Sequence, residues 1–374
     1  MSIRKRKWVT RRGEAKEAWI VDYTDQQGDR HIETFERKKD ADARHATVKV
    51  NVRQGTHTAP SKSITVAEAA EGWIKRAEAD GLERGTIDGY REHARLHILP
   101  RIGKVKLANL TPTTVGEFRD DLLANLSRPL ARKVLVSFKS LLKVAKYAHA
   151  ADGVSIKRNK RDDLQLKVGR DFPTPGEIKR LIEATKDLRR RTLLLTAALT
   201  GLRASELRGL RWTDTDLKVG ELHVRQRADR YNAIGHPKTK SSVRTVPLAP
   251  EVLSALKEWR LACPKGELDL VFPTRTGRVE RHTSIWRSLK PIMVAAGVVN
   301  KADEPKYAVH AFRHFFASWC INPKNRGGRE LPAKVVQHLL GHSSIVMTLD
   351  VYGHLFPRGD DREELATASK ALLA

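Results

Sequence analysis

Thr200-Gly201-Leu202-Arg203-Ala204-Ser205-Glu206-Leu207 closes one helix and opens another. The apolar run Leu193 to Leu199 precedes it, Gly201 can take the left-handed conformation that ends a helix, and Leu202 begins the next element. Arg203 therefore falls at a helix start, where backbone N–H groups and the helix dipole already favour an anion, and it is placed to grip a phosphate. Glu206 lies three residues on, close enough to support that arginine or to cap a neighbouring turn, a structural role. Upstream, Thr174-Pro175-Gly176-Glu177 combines an N-cap, a proline at the first helical position and a capping-box glutamate ahead of Ile178, Leu181 and Ile182. Downstream, residues 221–227 and 243–248 alternate like a short sheet, and helices fill most of the remainder.

The whole chain has 374 residues, and 70 Lys plus Arg against 44 Asp plus Glu leave a net charge of +26. At roughly 100–200 residues per domain, this length predicts two or three domains and excludes a single small module. Apolar residues at 40% and charged ones at 30% exclude a wholly disordered or fibrous chain. The two cysteines, Cys263 and Cys320, are too few for a disulfide scaffold or an all-cysteine zinc site, so structural thiols in a reducing compartment are expected. No run approaches the roughly 18 apolar residues of a membrane helix, and the N-terminus lacks a secretory apolar segment, so a cytoplasmic protein with no membrane partner is expected. Dispersed Lys and Arg make nucleic acid the leading partner class.

Three regions follow from the change in pattern along the chain. Residues 1–60 read as a small basic β-sheet-plus-helix module. Arg4, Lys5, Arg6, Lys7, Arg11, Arg12 and Lys16 stand against the single acid Glu14 in a positive arm that cannot fold on its own. Residues 18–23 and 31–35 follow as strands, with Asp25 to Asp29 as the turn and a helix over Lys38 to Val52. The polar segment Gln54 to Ser63 reads as a linker. Residues 61–161 read as a compact four-helix domain. It starts at a Thr65/Glu68 capping box, continues through Ile87, Tyr90, Ala94 and Ile98 until Pro100, and resumes at Thr111-Pro112 and from about Pro129. Arg132, Lys133 and Lys139 are among the basic residues that make its solvated faces suited to a phosphate backbone. Lys157 to Arg170 reads as an exposed linker, and residues 172–374 as a third, mixed and mostly helical domain with a small antiparallel sheet. The fold class is mainly α with small β elements (α+β).

Four further motifs lie in the third region. Pro237-Lys238-Thr239-Lys240-Ser241-Ser242 is a polar turn entering a strand, and a lysine on such a turn can deliver a proton to a leaving oxygen. In Val309-His310-Ala311-Phe312-Arg313-His314-Phe315-Phe316, His310 and Arg313 share a helix face. In His338-Leu339-Leu340-Gly341-His342-Ser343-Ser344, Gly341 ends a helix and holds His342 at its terminus. Tyr352 follows ten residues later. Zinc is the rival account, since His310/His314 and His338/His342 both have i, i+4 spacing. The metalloprotease glutamate is missing from both pairs, and the adjoining apolar residues point to packing or supporting roles for His314 and His338. No metal or cofactor is expected. Two arginines, a lysine, two histidines and a tyrosine are the inventory needed to break a phosphodiester without metal: fixed guanidiniums hold the charge built on the non-bridging oxygens. A tyrosine hydroxyl, with an ordinary pKa of about 10, needs a base nearby.

These motifs, in this order and with this spacing, resemble the tyrosine recombinases, or phage integrases, over residues ~172–356 by motif and ~1–161 by architecture. The resemblance implies that Arg203 and Arg313 bind the scissile phosphate and that Lys238 protonates the leaving 5′ oxygen, with Lys240 as the alternative acid on the same turn. It implies that His310 assists proton transfer from Tyr352, His342 hydrogen-bonds the phosphate and Glu206 supports the pocket. Tyr352 would form a 3′-phosphotyrosyl link to DNA, without ATP. The implied protein is the integrase of a phage or other mobile element. It would act as a homotetramer on paired double-stranded attachment sites, with an accessory DNA-bending or directionality factor a further partner. Arg4, Lys5, Arg6, Lys7, Arg11, Arg12, Arg132, Lys133 and Lys139 would touch DNA. Two other readings remain: a type IB topoisomerase-like nickase-ligase, and a sequence-specific DNA-binding protein with a vestigial pocket.

Overall fold

The computed structural model describes residues 1–10, 14–25, 28–53, 62–157, 166–356 and 361–373, with the side chains of 47, 51, 361–364 and 368 left aside. The chain divides into two compact units, Met1–Lys160 and Arg161–Ala374. The first opens with an antiparallel sheet in the order β1 (Ser2–Val9), β2 (Ala15–Thr24), β3 (Arg30–Phe35), covered by α1 (Lys38–Arg53). Val21 and Tyr23 pack with Ala41 and Val48 of the helix, joined by Ile3, Trp19 and Phe35. Strand β1 corrects the expected unfolded arm: Arg4 to Lys7 pair with Ile20 to Glu17 of β2. Its charges are those of an edge strand, where lysine and arginine discourage further pairing, and β2 supplies the backbone partners that the segment alone lacks. Arg11 and Arg12 lie outside the described residues, as do most of the linker over Gln54 to Ser63 and part of that over Lys157 to Arg170.

The helical part of this unit starts at α2 (Val66–Ala79), capped by the expected Thr65/Glu68 box. Next comes α3 (Arg84–His93), which runs through a wide π-type turn at Ala94–Ile98 into the single turn α4 (Leu99–Ile102). Pro100 thus lies inside a continuous helical path rather than ending it. In the wide turn the Leu99 N–H reaches back to the Ala94 carbonyl, which makes room for a ring that would clash with a regular turn. Thr111 caps α5 (Pro112–Asn125), and α6 (Arg128–Val144) buries Val134, Phe138, Leu141 and Leu142. Trp73 lies at the centre of this core, its indole N–H donating to Ser140 Oγ at 3.2 Å. Arg132 and Lys133 are exposed and Lys139 is half-buried.

The second unit begins with α7 (Pro175–Ala184), held by the expected Thr174/Glu177 box, and α8 (Leu188–Thr200), which is buried from Thr192 onward except for the half-buried Leu199. After α9 (Ala204–Gly209) come β4 (Thr215–Asp216), β5 (Glu221–Val224), the small hairpin β6 (Arg227–Ala228) and β7 (Ile234–Gly235), and β8 (Arg244–Pro247). Strands β4, β5 and β8 form one antiparallel sheet in which Leu222 faces Val246 and Val224 faces Arg244. The rest is helical: α10 (Pro250–Ala262), α11 (His282–Ala295), α12 (His310–Ile321), α13 (Ala333–Leu340), α14 (Ile345–Tyr352) and α15 (Asp361–Leu373). The main core joins α8, α10, α11 and α12, and a second cluster packs Phe316 and Cys320 of α12 against Val336, Leu340 and Tyr352. The mainly helical fold with small antiparallel sheets is the expected one. Among the described residues no helix is long and apolar enough to cross a membrane.

Candidate active site

Helix α8 ends because Gly201 has φ +63°, and a Cβ there would lie 2.3 Å from Phe316 Cδ1. The reversal delivers Arg203 to the N-cap of α9. Its backbone N–H donates to Glu206 Oε2 at 2.9 Å, its Nη1 to Glu206 Oε1 at 2.7 Å, and its Nη2 to the Gly341 carbonyl at 3.0 Å. Glu206 is only 3% exposed. It also accepts from Nη1 and Nη2 of the buried Arg244, at 3.2 and 2.9 Å. Burial raises the carboxyl pKa, but Arg244, Arg203 and Arg313 outweigh it and bring it down to about 2. Glu206 is thus ionised at neutral pH and shared between two guanidiniums.

Arg313, on the first turn of α12, is 2% exposed. Its Nη1 donates to the Gly201 carbonyl at 2.6 Å and its Nη2 to the Leu340 carbonyl at 2.5 Å. Burial first, then the charge of Arg203, lowers it to about 9, so it remains a cation at neutral pH. Leu340 and Gly341 are consecutive, so their carbonyls draw Arg313 and Arg203 to neighbouring positions at the end of α13. Gly341 makes this possible, with φ +63° and space for no Cβ: one would lie 2.9 Å from Arg244 Nη1. Beside the pair, Arg203, Glu206, Lys238, Thr239, Ser242 and Gly341 line a cavity of about 200 Å³. Lys240 opens the following one-turn 3₁₀ helix and is exposed.

Tyr352 ends α14 and is 1% exposed, its pKa pushed up to about 12 by burial against the opposing pull of Arg313. Its hydroxyl lies 2.7 Å from Nδ1 of His314. The His342 ring lies parallel to the Tyr352 ring at 6.5 Å and is anchored by Nδ1 to Thr348 Oγ1 at 2.9 Å. Burial, then Arg313, Arg203 and Arg244, lowers His342 to about 3, so its imidazole is neutral. His310, at the start of α12, keeps an exposed edge, and its ring meets that of His314 edge-on at 4.8 Å. Desolvation of the crowded imidazole, then Arg313 and Arg203, lowers its pKa as well. Arg203, Glu206, Lys238 and Gly341 thus share one cavity wall, Arg313 anchors next to Gly341 on the Leu340 carbonyl, and His342 stands beside Tyr352.

Residues 172–358, half of the chain, match the phage integrase family, and residues 65–123 match the family's N-terminal SAM-like domain. The chain belongs to the phage integrase family. It is a tyrosine recombinase, a site-specific DNA recombinase. The tyrosine recombinase XerC-like protein of Caldanaerobacter subterraneus subsp. tengcongensis is 26% identical over 356 residues, covering 86% of this chain and 87% of that protein. An integrase of Streptomyces ambofaciens is 26% identical over 366 residues, covering 91% and 90%. Among solved structures, the Tn1549 transposon integrase in complex with a circular intermediate DNA superposes with a TM-score of 0.63 at 20% identity, over 83% of this chain and 100% of that one. The lambda integrase tetramer bound to a Holliday junction gives 0.57 at 15% identity, over 94% of both chains. At these identities the structural likeness is one of fold.

Two site residues of this integrase escaped the sequence motifs or were given another part. The sequence marks Arg244 only as part of an alternating strand, yet it is buried and in phase with Val246. An arginine at an inward position of a strand is the signal that marks it, since a buried charge needs a carboxylate partner. The motif reading gives His314 a packing or supporting role and makes His310 the group that assists the tyrosine's proton. The structure puts His314, not His310, on the hydroxyl, because one helical turn carries it from the exposed end of α12 to the level of α14. His338, expected in a packing or supporting role, is exposed, and its i+4 partner His342 is the buried member of the pair.

Proposed function

We propose that this recombinase cleaves DNA by attack of Tyr352 on a phosphate held between Arg203 and Arg313, leaving a 3′-phosphotyrosyl link and a free 5′ hydroxyl. The observation that carries this reading is the pair of guanidiniums on the consecutive carbonyls of Leu340 and Gly341, with Arg313 near enough to Tyr352 for its charge to act on the hydroxyl. Arg313 donates to carbonyls, whose dipoles leave its full charge available to an anion. Lys238, on the cavity wall beside Arg203, protonates the leaving 5′ oxygen, and this position favours it over Lys240. His342 donates to a phosphate oxygen through the nitrogen that Thr348 does not hold. His310, its ring against that of His314, assists the movement of the tyrosine's proton. The bond energy is conserved in the ester, so a 5′ hydroxyl of a partner duplex completes strand exchange without ATP or metal.

On this reading, residues 61–161 and 172–374 hold the core site, residues 1–60 bind a second class of site, and four protomers assemble on two duplexes. The chain is then the integrase of a phage or other mobile element acting on double-stranded attachment sites in the cytoplasm, with an accessory DNA-bending or directionality factor a further partner. Arg4, Arg6, Arg132 and Lys133, all exposed, supply phosphate contacts, with Lys5, Lys7 and Lys139 contributing less. The test is a nicked suicide duplex carrying the attachment site that adjoins the coding sequence. The protein becomes covalently attached to the 3′ end of the cleaved strand, and Tyr352→Phe binds the duplex but forms no adduct. An adduct with the Phe variant removes Tyr352 as nucleophile. Rejoining that needs two sites separates a recombinase from a nickase-ligase that relaxes one duplex.

A further inference from the structure

We infer that His314 is the general base that takes the hydroxyl proton of Tyr352 during cleavage. The inference rests on Tyr352 as nucleophile and adds the group that activates it. The geometry is specific to His314: its Nδ1 lies 2.7 Å from the tyrosine Oη, with the two rings tilted by 56°. Two other polar groups near the tyrosine are engaged elsewhere. His342 gives its Nδ1 to Thr348 and presents a ring face to Tyr352, and Arg313 donates to two carbonyls. An arginine accepts no hydrogen bond in any case.

The step balances in one line of atoms. The Oη–H bond breaks, its electron pair stays on Oη and forms the bond to phosphorus, and the proton moves to Nδ1 to give an imidazolium. The 5′ oxygen leaves with its own bonding pair and is protonated by a different group, Lys238. For this, His314 must be the neutral tautomer with its lone pair on Nδ1 and its proton on Nε2, with Tyr352 as the donor. Among the described residues, the charged and titratable groups facing His314 are His310 and Arg313 on its own helix, Asp171 from the segment before α7, and Tyr352 from α14. Burial first, then His310 and Arg313, lowers its pKa to about 4, which keeps Nδ1 free to accept at neutral pH. A bound phosphodiester offsets the positive charge of Arg313, so DNA raises the basicity of His314 at the moment the tyrosine must ionise. In the DNA-free protein the same bond holds the hydroxyl protonated and shielded.

The sequence spacing explains why His314 and not His310 takes this place. His310 and Arg313 share one side of the first turn of α12, while His314 lies one turn further along, next to Phe315 and Phe316, which anchor the helix in the two core clusters. The ring is held toward α14 by its hydrogen bond to the tyrosine.

Single-turnover cleavage of the suicide duplex tests this with three variants of the full chain. His314→Asn keeps a hydrogen-bonding group near Nδ1 but cannot take a proton. We expect it to bind the duplex with unchanged affinity and to cleave about 100-fold more slowly at neutral pH. Its rate should rise about tenfold per pH unit in alkali, because the tyrosine must then ionise unaided. His314→Ala should be restored in part by added imidazole. Both defects should persist with a 5′-bridging phosphorothioate, whose leaving group needs no acid. A His314→Asn rate within about threefold of wild type, an alanine variant that neither imidazole nor alkali restores, or a defect abolished by the phosphorothioate would each overturn the assignment. Tyr352→Phe is run alongside: an adduct there fails the nucleophile itself, whereas a fully active His314→Asn fails only the base.

Discussion

Glu206 is the residue on which the charge balance of the pocket rests. Removing its carboxylate leaves Arg244, whose side chain is wholly buried, with two carbonyls and no counter-charge. Its pKa of about 2 against an ordinary 4.5 also sets a pH dependence. The folded carboxyl binds a proton less readily than the unfolded one. Its contribution is therefore complete above about pH 4.5 and is lost as pH falls toward 2. The shift corresponds to about 3 kcal/mol. We expect the thermal midpoint of the wild type to fall between pH 5 and 3 by about 5 °C more than that of Glu206→Gln, although the variant is the less stable of the two at neutral pH. Equal slopes in thermal denaturation followed by circular dichroism would show that Glu206 is not held ionised by its arginines. His342 and His314, lowered to about 3 and about 4, add loss of the same sign, beginning below an ordinary histidine value of 6.5.

At the scale of elements, the two glycine reversals do the positioning. Gly201 ends α8 and Gly341 ends α13, both left-handed, and each leaves an arginine or a carbonyl where the pocket needs it. Gly201→Ala meets the αL penalty of about 1–2 kcal/mol and a Phe316 ring with no room for a methyl group, another 1–3 kcal/mol. We expect a loss of roughly 3 kcal/mol, read as a lower denaturant midpoint with an unchanged slope. Cleavage should fall more steeply than stability at temperatures where the variant is folded, because Arg313 anchors on the Gly201 carbonyl. A stable, fully active alanine variant would show the turn to be ordinary. These reversals, the capping boxes and the helical periods were legible in the sequence because each depends on residues within one turn. What was not legible depended on contacts across the fold. Strand β1 needs β2 to exist, Pro100 is carried by a wide turn that only the surrounding core specifies, and the partner of Tyr352 is decided by the depth of α12. The burial of Arg244 was half legible, through its inward phase on β8.

Over the whole molecule, the charge is divided evenly. The 33 basic and 20 acidic residues of 1–160, and the 37 and 24 of 161–374, leave +13 in each unit. Neither unit is thus a neutral passenger on a polyanion, and both should contribute to the salt dependence of binding. The sheet of the first unit makes a sharper statement. Strand alternation puts Lys5 and Lys7 on the side of Trp19 and Val21 that packs on α1, and Arg4 and Arg6 on the opposite side. Lys5 and Lys7 already have Glu17 at 2.7 and 3.8 Å. Arg4 reaches Asp22 only at 3.5 Å, a carboxylate that Arg30 Nε holds at 2.9 Å. A residue that releases counterions from DNA must be free to leave its own partner, so the arginine pair should carry the phosphate contacts and the lysine pair should not. Arg4→Ala with Arg6→Ala should reduce the slope of log affinity against log salt by about 2, at about 0.9 per phosphate, whereas Lys5→Ala with Lys7→Ala should change it by less than about 0.5. Fluorescence anisotropy of the full chain on one duplex across a salt titration measures both. Equal reductions from the two pairs would mean that DNA lies along the strand edge rather than across the arginine face of the sheet.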